Sequence, residues 1–262
     1  MAELIIGIAE HAIRIRTESE RVEGWMRESF TTLDPQAVSG VDLTLEIHDE
    51  WGVPFENFDV DVDVHGGTVR YRRGDYEIRI EDSYDFGWIG AYDMFALKHA
   101  MMNVYSALIV HREWGLLIHS SCVAENDQAH IFTGHSGAGK STVAMLSLPR
   151  PLLSDEATVV KVGKDGAVTA FNSPFRSDLW TYHSLDQCPL RGVFFLKQSL
   201  EVKTEPMSTV KSMTSLLDKV FYWKYDAGET AKLFRLCSRL TASVPSVELY
   251  FQKNDSFWEM IS

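Results

Sequence analysis

Apolar and polar residues alternate along several stretches near the start of the chain, as they do in half-buried strands. Residues 4–16 alternate around isoleucines, residues 41–47 alternate regularly, and residues 68–80 give two strands joined by a glycine-containing turn. Between the first two stretches, residues 19–30 carry apolar side chains at helical spacing. The pattern therefore predicts a small α+β module over residues 1–90, which could recognise a peptide or another partner.

The pattern changes after this module. Residues 81–92 hold four aromatic residues without a sustained period, and we interpret them as a connection whose rings pack a junction rather than bind a base or a peptide. Over residues 92–114, apolar side chains recur every three or four positions, which predicts a long amphipathic helix. Helices are also predicted at 208–222 and 229–240. Together with several short apolar strands, these three helices predict a second domain, of the α/β class, over residues 91–262.

A glycine-rich loop, Gly134–Ser141, matches G-x-x-x-x-G-K-[ST], a motif whose backbone N–H groups bind nucleotide phosphates. Residues 129–133 suit a buried strand and residues 141–146 suit a helix, which is the order that the motif requires. Lys140 is predicted to contact the β- and γ-phosphates and Ser141 to bind Mg²⁺. The predicted nucleotide-binding residues are Gly134, His135, Ser136, Gly137, Ala138, Gly139, Lys140, Ser141 and Thr142.

The strand before this loop is predicted to be the second strand of a hairpin. Residues 116–124 and 129–133 flank a polar turn, and a turn centred on residues 126–127 places His119 opposite Gly134. A lone histidine is more often a core residue bonded to a carbonyl, but this register favours a position beside the γ-phosphate. Antiparallel pairing at this point also argues against an ordinary doubly wound nucleotide-binding domain.

Two adjacent carboxylates, Asp155 and Glu156, follow a short apolar run after the loop. Phosphoryl transfer from Mg-ATP needs a carboxylate near the metal and a group that accepts the proton of the attacking hydroxyl. An isolated Asp-Glu pair is usually a surface feature, but after a phosphate loop this pair is the best candidate for both roles. A lone arginine, Arg176, in the polar turn 172–178 is a candidate for stabilising the transferred phosphate.

Composition and charge limit the kinds of molecule that the chain is expected to bind. Lys and Arg total 25 against 37 Asp and Glu, a net charge of −12, so the chain is not expected to bind a nucleic acid. Three widely spaced cysteines fit neither a disulfide framework nor a zinc site, and predict buried free thiols. The sequence shows neither a basic, apolar leader nor an apolar run of membrane-spanning length. We therefore expect a cytoplasmic protein that does not bind membranes.

From Gly115 to Phe251 the order of these features resembles the HPr kinase/phosphorylase family and its relatives with a phosphoenolpyruvate-carboxykinase-like P-loop fold. The resemblance implies a mixed-sheet α/β core entered through an antiparallel hairpin, and an enzyme that uses ATP and Mg²⁺ to phosphorylate a serine in a protein or peptide. The roles it implies are general base for Asp155, contact with the reacting phosphate for His119, an active-site arginine at Arg176, and Mg²⁺ ligation by Ser141 and Glu156.

Within that family, a small chain with a distinct N-terminal module looks like the lasso-peptide precursor kinases, which phosphorylate a C-terminal serine. Two departures stand out: Glu156 replaces an aspartate, and residues 173–178 replace the glycine-rich signature associated with phosphorolysis. We expect a serine kinase that acts on a precursor peptide or small protein. The tendency of that family to assemble adds a homo-oligomer to this expectation. The alternatives are an HPr-like protein, a small hydroxyl compound or free serine as acceptor, and a non-catalytic ATP-sensing regulator.

Overall fold

A computed structural model describes residues 1–177 and 185–261 of the chain, which divides into two compact units. The first unit comprises Met1–His111 and Tyr222–Thr230, and the second comprises Arg112–Phe221 and Ala231–Ser262. The sequence pattern predicts a boundary at residue 90, and as a functional boundary this stays a prediction. Asp178, the last residue of the predicted polar turn, lies outside the described residues.

The first unit is built on one mixed sheet. Its elements are β1 (Ala2–Ile8), β2 (His11–Thr17), α1 (Glu20–Ser29), β3 (Thr31–Leu33), β4 (Leu43–His48), β5 (Asp61–His65), β6 (Thr68–Arg73), β7 (Tyr76–Glu81), β8 (Phe86–Ala91) and α2 (Met94–His111). The strand order is β3-β1-β2-β4-β8-β7-β6-β5, with β4 parallel to both β2 and β8. Helix α1 packs on β2, and α2 packs on β7 and β8.

Two sequence predictions for this unit are wrong. Residues 4–16 form two strands rather than one, because the chain reverses at Ala9, whose φ of 51° is a turn conformation. The stretch 81–92 is not only a connection, since it contains β8 at the centre of the sheet. The sequence pattern missed this strand because it contains glycines, which are uncommon in strands. A Cβ at Gly87 would lie 3.0 Å from Leu45 Cδ2, so the absence of a side chain permits close contact between the strands.

The helices of this unit follow the predicted positions more closely. Helix α1 begins after Ser19, whose side chain caps it by accepting a hydrogen bond from the backbone N–H of Val22. Helix α2 lies where a helix is predicted, but it is not amphipathic. Its residues from Ala100 to Val110 are all buried, including successive positions that cover every face of the helix.

The second unit holds the glycine-rich loop Gly134–Ser141. Its elements are β9 (Gly115–Glu125), β10 (Gln128–Thr133), α3 (Lys140–Leu146), β11 (Leu152–Ser154), β12 (Ala157–Val162), β13 (Val168–Phe171), β14 (Gln187–Gln198), β15 (Lys203–Pro206), α4 (Thr209–Leu217), α5 (Ala227–Ser243), which begins in the first unit, β16 (Ser246–Phe251), a 3-10 turn (Asp255–Phe257) and α6 (Trp258–Ile261). The predicted strands before the loop and the predicted helix after it are confirmed, whereas the helix predicted at 208–222 ends at Leu217.

The strands of this unit form a small barrel with an extension. Their order is β10-β9-β12-β13-β14-β16-β15, and β10 also pairs with β14, which closes the first five strands into a ring. Strands β10, β14 and β16 run parallel, so their carboxyl ends lie at the same edge. The α/β class with a mixed sheet is therefore confirmed.

An aromatic core supports the strand that leads into the loop. Phe132 on β10 stacks on Phe194 of β14 and contacts the rings of Phe257 and Trp258. All four side chains are buried, and the Trp258 indole N–H donates to the Ser147 hydroxyl at 3.1 Å. The end of the chain thus fixes the position of β10.

The cysteines Cys122, Cys188 and Cys237 are buried free thiols, as predicted. Among the helices of the described residues, none is long and apolar enough to cross a membrane. The cytoplasmic location stays a prediction.

Candidate active site

The hairpin that leads into the loop has the predicted register. Strands β9 and β10 are joined at Asn126 and Asp127, both with positive φ, and Thr133 pairs with Ser120. The next position of this register sets His119 opposite the first glycine of the loop. The Thr133 hydroxyl also donates to the backbone carbonyl of His119 at 2.8 Å. His119 therefore lies where the chain leaves β10 for the loop.

Two glycines give the loop its shape. Gly137 and Gly139 have φ of 78° and 109°, in the region that favours glycine. At Gly139 space is also limiting, because a Cβ there would lie 2.7 Å from Cζ of Phe251. The Gln198 side-chain N–H donates to the Gly137 carbonyl at 2.9 Å, which ties the loop to the end of β14.

The acid pair lies on the other side of β9 from the loop. Strand β11 ends at Ser154 and β12 begins at Ala157, and both strands pair with β9. Asp155 and Glu156 fill the interval, where the backbone N–H of Ser120 donates to the Glu156 carbonyl at 3.1 Å. Neighbouring strands lie about 4.8 Å apart, so the backbone of the acid pair is roughly 10 Å from the strand that delivers the loop.

Buried hydroxyl groups fix these strands relative to each other. The Thr158 hydroxyl lies 2.7 Å from that of Ser120 and 2.5 Å from that of Ser154, so one cluster joins β9, β11 and β12. The Ser121 hydroxyl donates to the Lys140 carbonyl at 3.1 Å and ties β9 to the start of α3. Since buried hydroxyls are costly to leave unbonded, this network favours one arrangement of the strands.

Asp155 is buried and held by the segment that follows β13. It accepts hydrogen bonds from the backbone N–H of Ser177 at 3.1 Å and from the Ser177 hydroxyl at 2.7 Å. The Arg176 guanidinium donates to the Leu152 carbonyl at 2.9 Å and to Asn172 Oδ1 at 2.7 Å. Burial lowers the pKa of Arg176, while the nearby Asp155 carboxylate opposes that shift. These contacts support a positioning role for Arg176, and its contact with phosphate stays a prediction.

Three basic side chains beside the loop, those of His119, Lys140 and Lys219, affect one another electrostatically. Burial, together with the charges of Lys140 and Lys219, lowers the pKa of His119 to about 4, so the imidazole is neutral near pH 7. Burial also lowers the pKa of Lys140, again with a contribution from Lys219. The Lys140 ammonium donates to the His135 carbonyl at 3.4 Å. A group of bases with these mutual effects suits an anionic ligand.

Lys219 is the member of this group that the sequence did not reveal. It follows α4 without any motif, and the backbone N–H of His119 donates to its carbonyl at 2.7 Å. An isolated bridge between Ile118 and Val220 continues this pairing. The segment after α4 thus takes the place beside β9 that β10 leaves at the loop. Only this tertiary pairing brings Lys219 to the site.

The predicted metal ligands are oxygen donors. Ser141 is exposed at the start of α3, and Glu156 is partly exposed. Within residues 1–177 and 185–261, no group of three or more His, Cys, Asp or Glu side chains could hold a metal by itself. Mg²⁺ commonly binds through one or two carboxylates together with substrate phosphates, so it does not require such a group. The donor set of Ser141 and Glu156 therefore fits Mg²⁺ that arrives with a nucleotide.

The fold and the site define a mixed α/β protein in which a small barrel carries a glycine-rich loop, an acid pair and a group of bases. The sequence model of one family, described as SynChlorMet cassette protein ScmC, matches residues 90–262. This match covers more than half of the chain, which therefore belongs to the ScmC family. A comparison with curated proteins found no match.

This result corrects the resemblance drawn from the sequence. The family is ScmC, and the identification with the HPr kinase/phosphorylase family and its lasso-peptide precursor kinases is wrong. That resemblance depended on a few local features, namely a histidine before a hairpin, the loop and the acid pair. Such features reflect general requirements of binding phosphate beside a carboxylate, and they do not distinguish one family from another.

Proposed function

We propose that the chain is an ATP-dependent phosphotransferase that moves the γ-phosphate of ATP to a serine hydroxyl of a peptide or small protein. The observation that carries this proposal is the arrangement around β9. Strand β10 delivers the loop on one side of it, the acid pair lies on the other side, and His119 lies between them. Phosphoryl transfer requires these groups to be close together: a phosphate cradle, basic side chains and a carboxylate.

Phosphate binding would use the loop and the basic group. Backbone N–H groups of Gly134–Ser141 would bind oxygens of the triphosphate, and Lys140 would approach the β- and γ-phosphates. Lys219 would add a second positive charge. The neutral imidazole of His119 can donate one N–H to a phosphate oxygen without carrying a charge of its own. Together these groups would stabilise the charge that develops during transfer.

Proton transfer would use Asp155. Its carboxylate already accepts a hydrogen bond from the Ser177 hydroxyl at 2.7 Å, which is the contact that an acceptor serine would make. The acceptor hydroxyl would give its proton to Asp155 while its oxygen forms a bond to the γ-phosphorus. The bond from that phosphorus to the β–γ bridging oxygen would break, and ADP would leave with the electron pair.

Mg²⁺ would be held by Ser141 and Glu156 together with phosphate oxygens. When bound, it would neutralise part of the triphosphate charge. Arg176 would support the site indirectly, because its guanidinium holds the strand that ends at the acid pair. The family description calls its members cassette proteins, so we look for the acceptor among products of neighbouring genes.

The base assignment is tested by Asp155→Asn. We expect ATP binding to change by less than about threefold and transfer to fall by about 10²–10⁴-fold, since the amide cannot take the proton. Binding is measured by calorimetry with Mg-ATP, and transfer by mass spectrometry of serine-containing peptides encoded nearby. Asp127→Asn is the control, because Asp127 is exposed at the opposite end of the hairpin, where asparagine suits the positive φ.

The outcomes separate the hypotheses. Full transfer by Asp155→Asn would exclude Asp155 as the base. ATP binding by the unaltered chain, without phosphate gain on any peptide or on free serine and without release of ADP, would support the ATP-sensing regulator instead. A phosphate gain on free serine but not on peptides would change the acceptor class and leave the site assignment intact.

A further inference from the structure

A concave surface adjoins the glycine-rich loop. It is a cleft of about 500 Å³ in the second unit. One wall comprises Gly139 and Thr142, at the end of the loop and in the first turn of α3. The other walls come from residues 198–200, which follow β14, and residues 251–253, which follow β16. The cleft thus shares a wall with the loop that binds phosphate in the proposed reaction.

The direction of the strands explains why a cleft forms at this place. Strands β10, β14 and β16 are parallel neighbours, and they end at Thr133, Gln198 and Phe251. In α/β proteins, ligands commonly bind outside the carboxyl ends of parallel strands, in barrels as well as in open sheets. The loop follows the first of these ends, and the cleft lies beyond the other two. One elongated ligand can therefore contact both places.

We propose that this cleft binds the base and ribose of the nucleotide whose phosphates contact the loop. The inference rests on the proposed function, and it adds where the nucleoside lies. Pockets for ligands of this size measure about 300–1,000 Å³, so the cleft has enough room. Leu200 is 91 % exposed at its rim, and a bound base would cover that apolar side chain.

Amide groups in the walls offer polar contacts. The Gln252 side-chain N–H donates to the backbone carbonyl of Leu200, which joins the two segments that follow β14 and β16. The Gln198 side chain bonds the loop at the carbonyl of Gly137. Each amide also carries a carbonyl oxygen that can accept a hydrogen bond from a base or a ribose hydroxyl. Lys253, in the same wall, places a positive charge near the ligand.

The order of the strands favours a nucleoside over the acceptor peptide in this cleft. Across the sheet the order is β12, β9, β10, then β14 and β16. The acid pair precedes β12, so it lies on one side of β10, whereas the cleft lies on the other. A triphosphate on the loop would then extend from the acid pair, where the acceptor reacts, toward the cleft.

The test compares ATP with inorganic tripolyphosphate, each with Mg²⁺, by calorimetry on the full chain. We expect the unaltered chain to bind ATP at least about tenfold more tightly, because only ATP can fill the cleft. Leu200→Ala and Gln252→Ala should each weaken ATP binding by about fivefold and leave tripolyphosphate binding unchanged. Val210→Ala is the control, because Val210 is also an exposed apolar side chain, 75 % exposed, and it does not line the cleft.

The results distinguish this inference from the proposed function. Equal affinity for ATP and tripolyphosphate, unaffected by either cleft variant, would overturn the nucleoside site and leave the phosphate site standing. A loss of tripolyphosphate binding in the cleft variants would also overturn it, because the cleft would then act on the phosphates. Binding of neither ligand by the unaltered chain would overturn both proposals.

Discussion

At the scale of single residues, the site depends on side chains from distant parts of the sequence. Lys140 belongs to the loop motif, His119 to β9, the first strand of the hairpin that leads into the loop, and Lys219 to the segment after α4. The first two could be predicted, because a motif and a hairpin register specify them. Lys219 could not be predicted, since a backbone pairing between its segment and β9 brings it to the site.

The contribution of Lys219 to ligand binding is testable. Lys219→Ala should weaken binding of Mg-ATP by about tenfold, because one positive charge near a triphosphate is removed, whereas Lys219→Arg should retain most of the affinity. Calorimetry measures both, with Lys164→Ala as the control, since Lys164 is exposed in the turn between β12 and β13. Equal affinities for the alanine variants at the two positions would exclude Lys219 from the site.

His119 should make stability depend on pH in the acidic range. Its pKa is about 4 in the folded protein, below the ordinary value of 6.5, so the unfolded chain binds the proton more readily between these values. Above pH 6.5 protonation of this residue does not affect the free energy of unfolding. As the pH falls from 6.5 toward 4, protonation of the unfolded chain lowers that free energy by about 3 kcal/mol. His119→Gln should lack that loss.

Urea unfolding at several pH values measures this loss as a difference in the free energy of unfolding between the unaltered chain and His119→Gln. The difference is informative because other groups, including buried His130, whose pKa burial also lowers, titrate in both. Parallel curves for the two proteins between pH 6.5 and 4 would show that His119 is not held neutral by the fold.

At the scale of elements, the sequence predicted best where local rules decide the structure. The turn at residues 126–127 predicted the register of β9 and β10, and the helical spacing over residues 19–30 predicted α1. The sequence predicted the structure poorly where contacts with neighbouring elements determine it. Strand β8 contains glycines that fit against adjacent strands, and β15 is a short strand whose position depends on its pairing with β16.

The loop offers a matched pair of glycine substitutions. Gly139→Ala should destabilise the protein by about 2–4 kcal/mol, because positive φ is combined with a Cβ 2.7 Å from the Phe251 ring. Gly137→Ala should cost about 1 kcal/mol, because φ is positive there but nothing lies within 4 Å of the added Cβ. Thermal unfolding compares them. Equal losses would show that contact with Phe251 does not limit the loop.

At the scale of the whole molecule, the second unit is a closed ring of strands held by an aromatic core. Trp258 joins this core from the end of the chain, contacts Phe132, and stacks beneath the Arg150 guanidinium at 4.3 Å. The closure of the ring by β10 and β14 was not predicted, because it follows from pairing between strands far apart in the sequence.

Trp258→Ala should therefore destabilise the second unit by about 3–5 kcal/mol, since a large buried side chain is removed. Trp258→Phe should cost less, because it keeps a ring and loses mainly the hydrogen bond to Ser147. Hydrogen exchange followed by mass spectrometry measures the loss of protection in β10 and β14 directly. Unchanged protection in those strands would show that the end of the chain does not support the barrel.

Strand β15 has a consequence for how the protein behaves at high concentration. It forms the outer edge of the extended sheet and is four residues long. Lys203 and Glu205 form an exposed ion pair on it, and Pro206 removes one backbone N–H. A short, charged, proline-terminated edge is a poor template for pairing with another chain. At this edge the protein is protected against aggregation by strand addition between molecules.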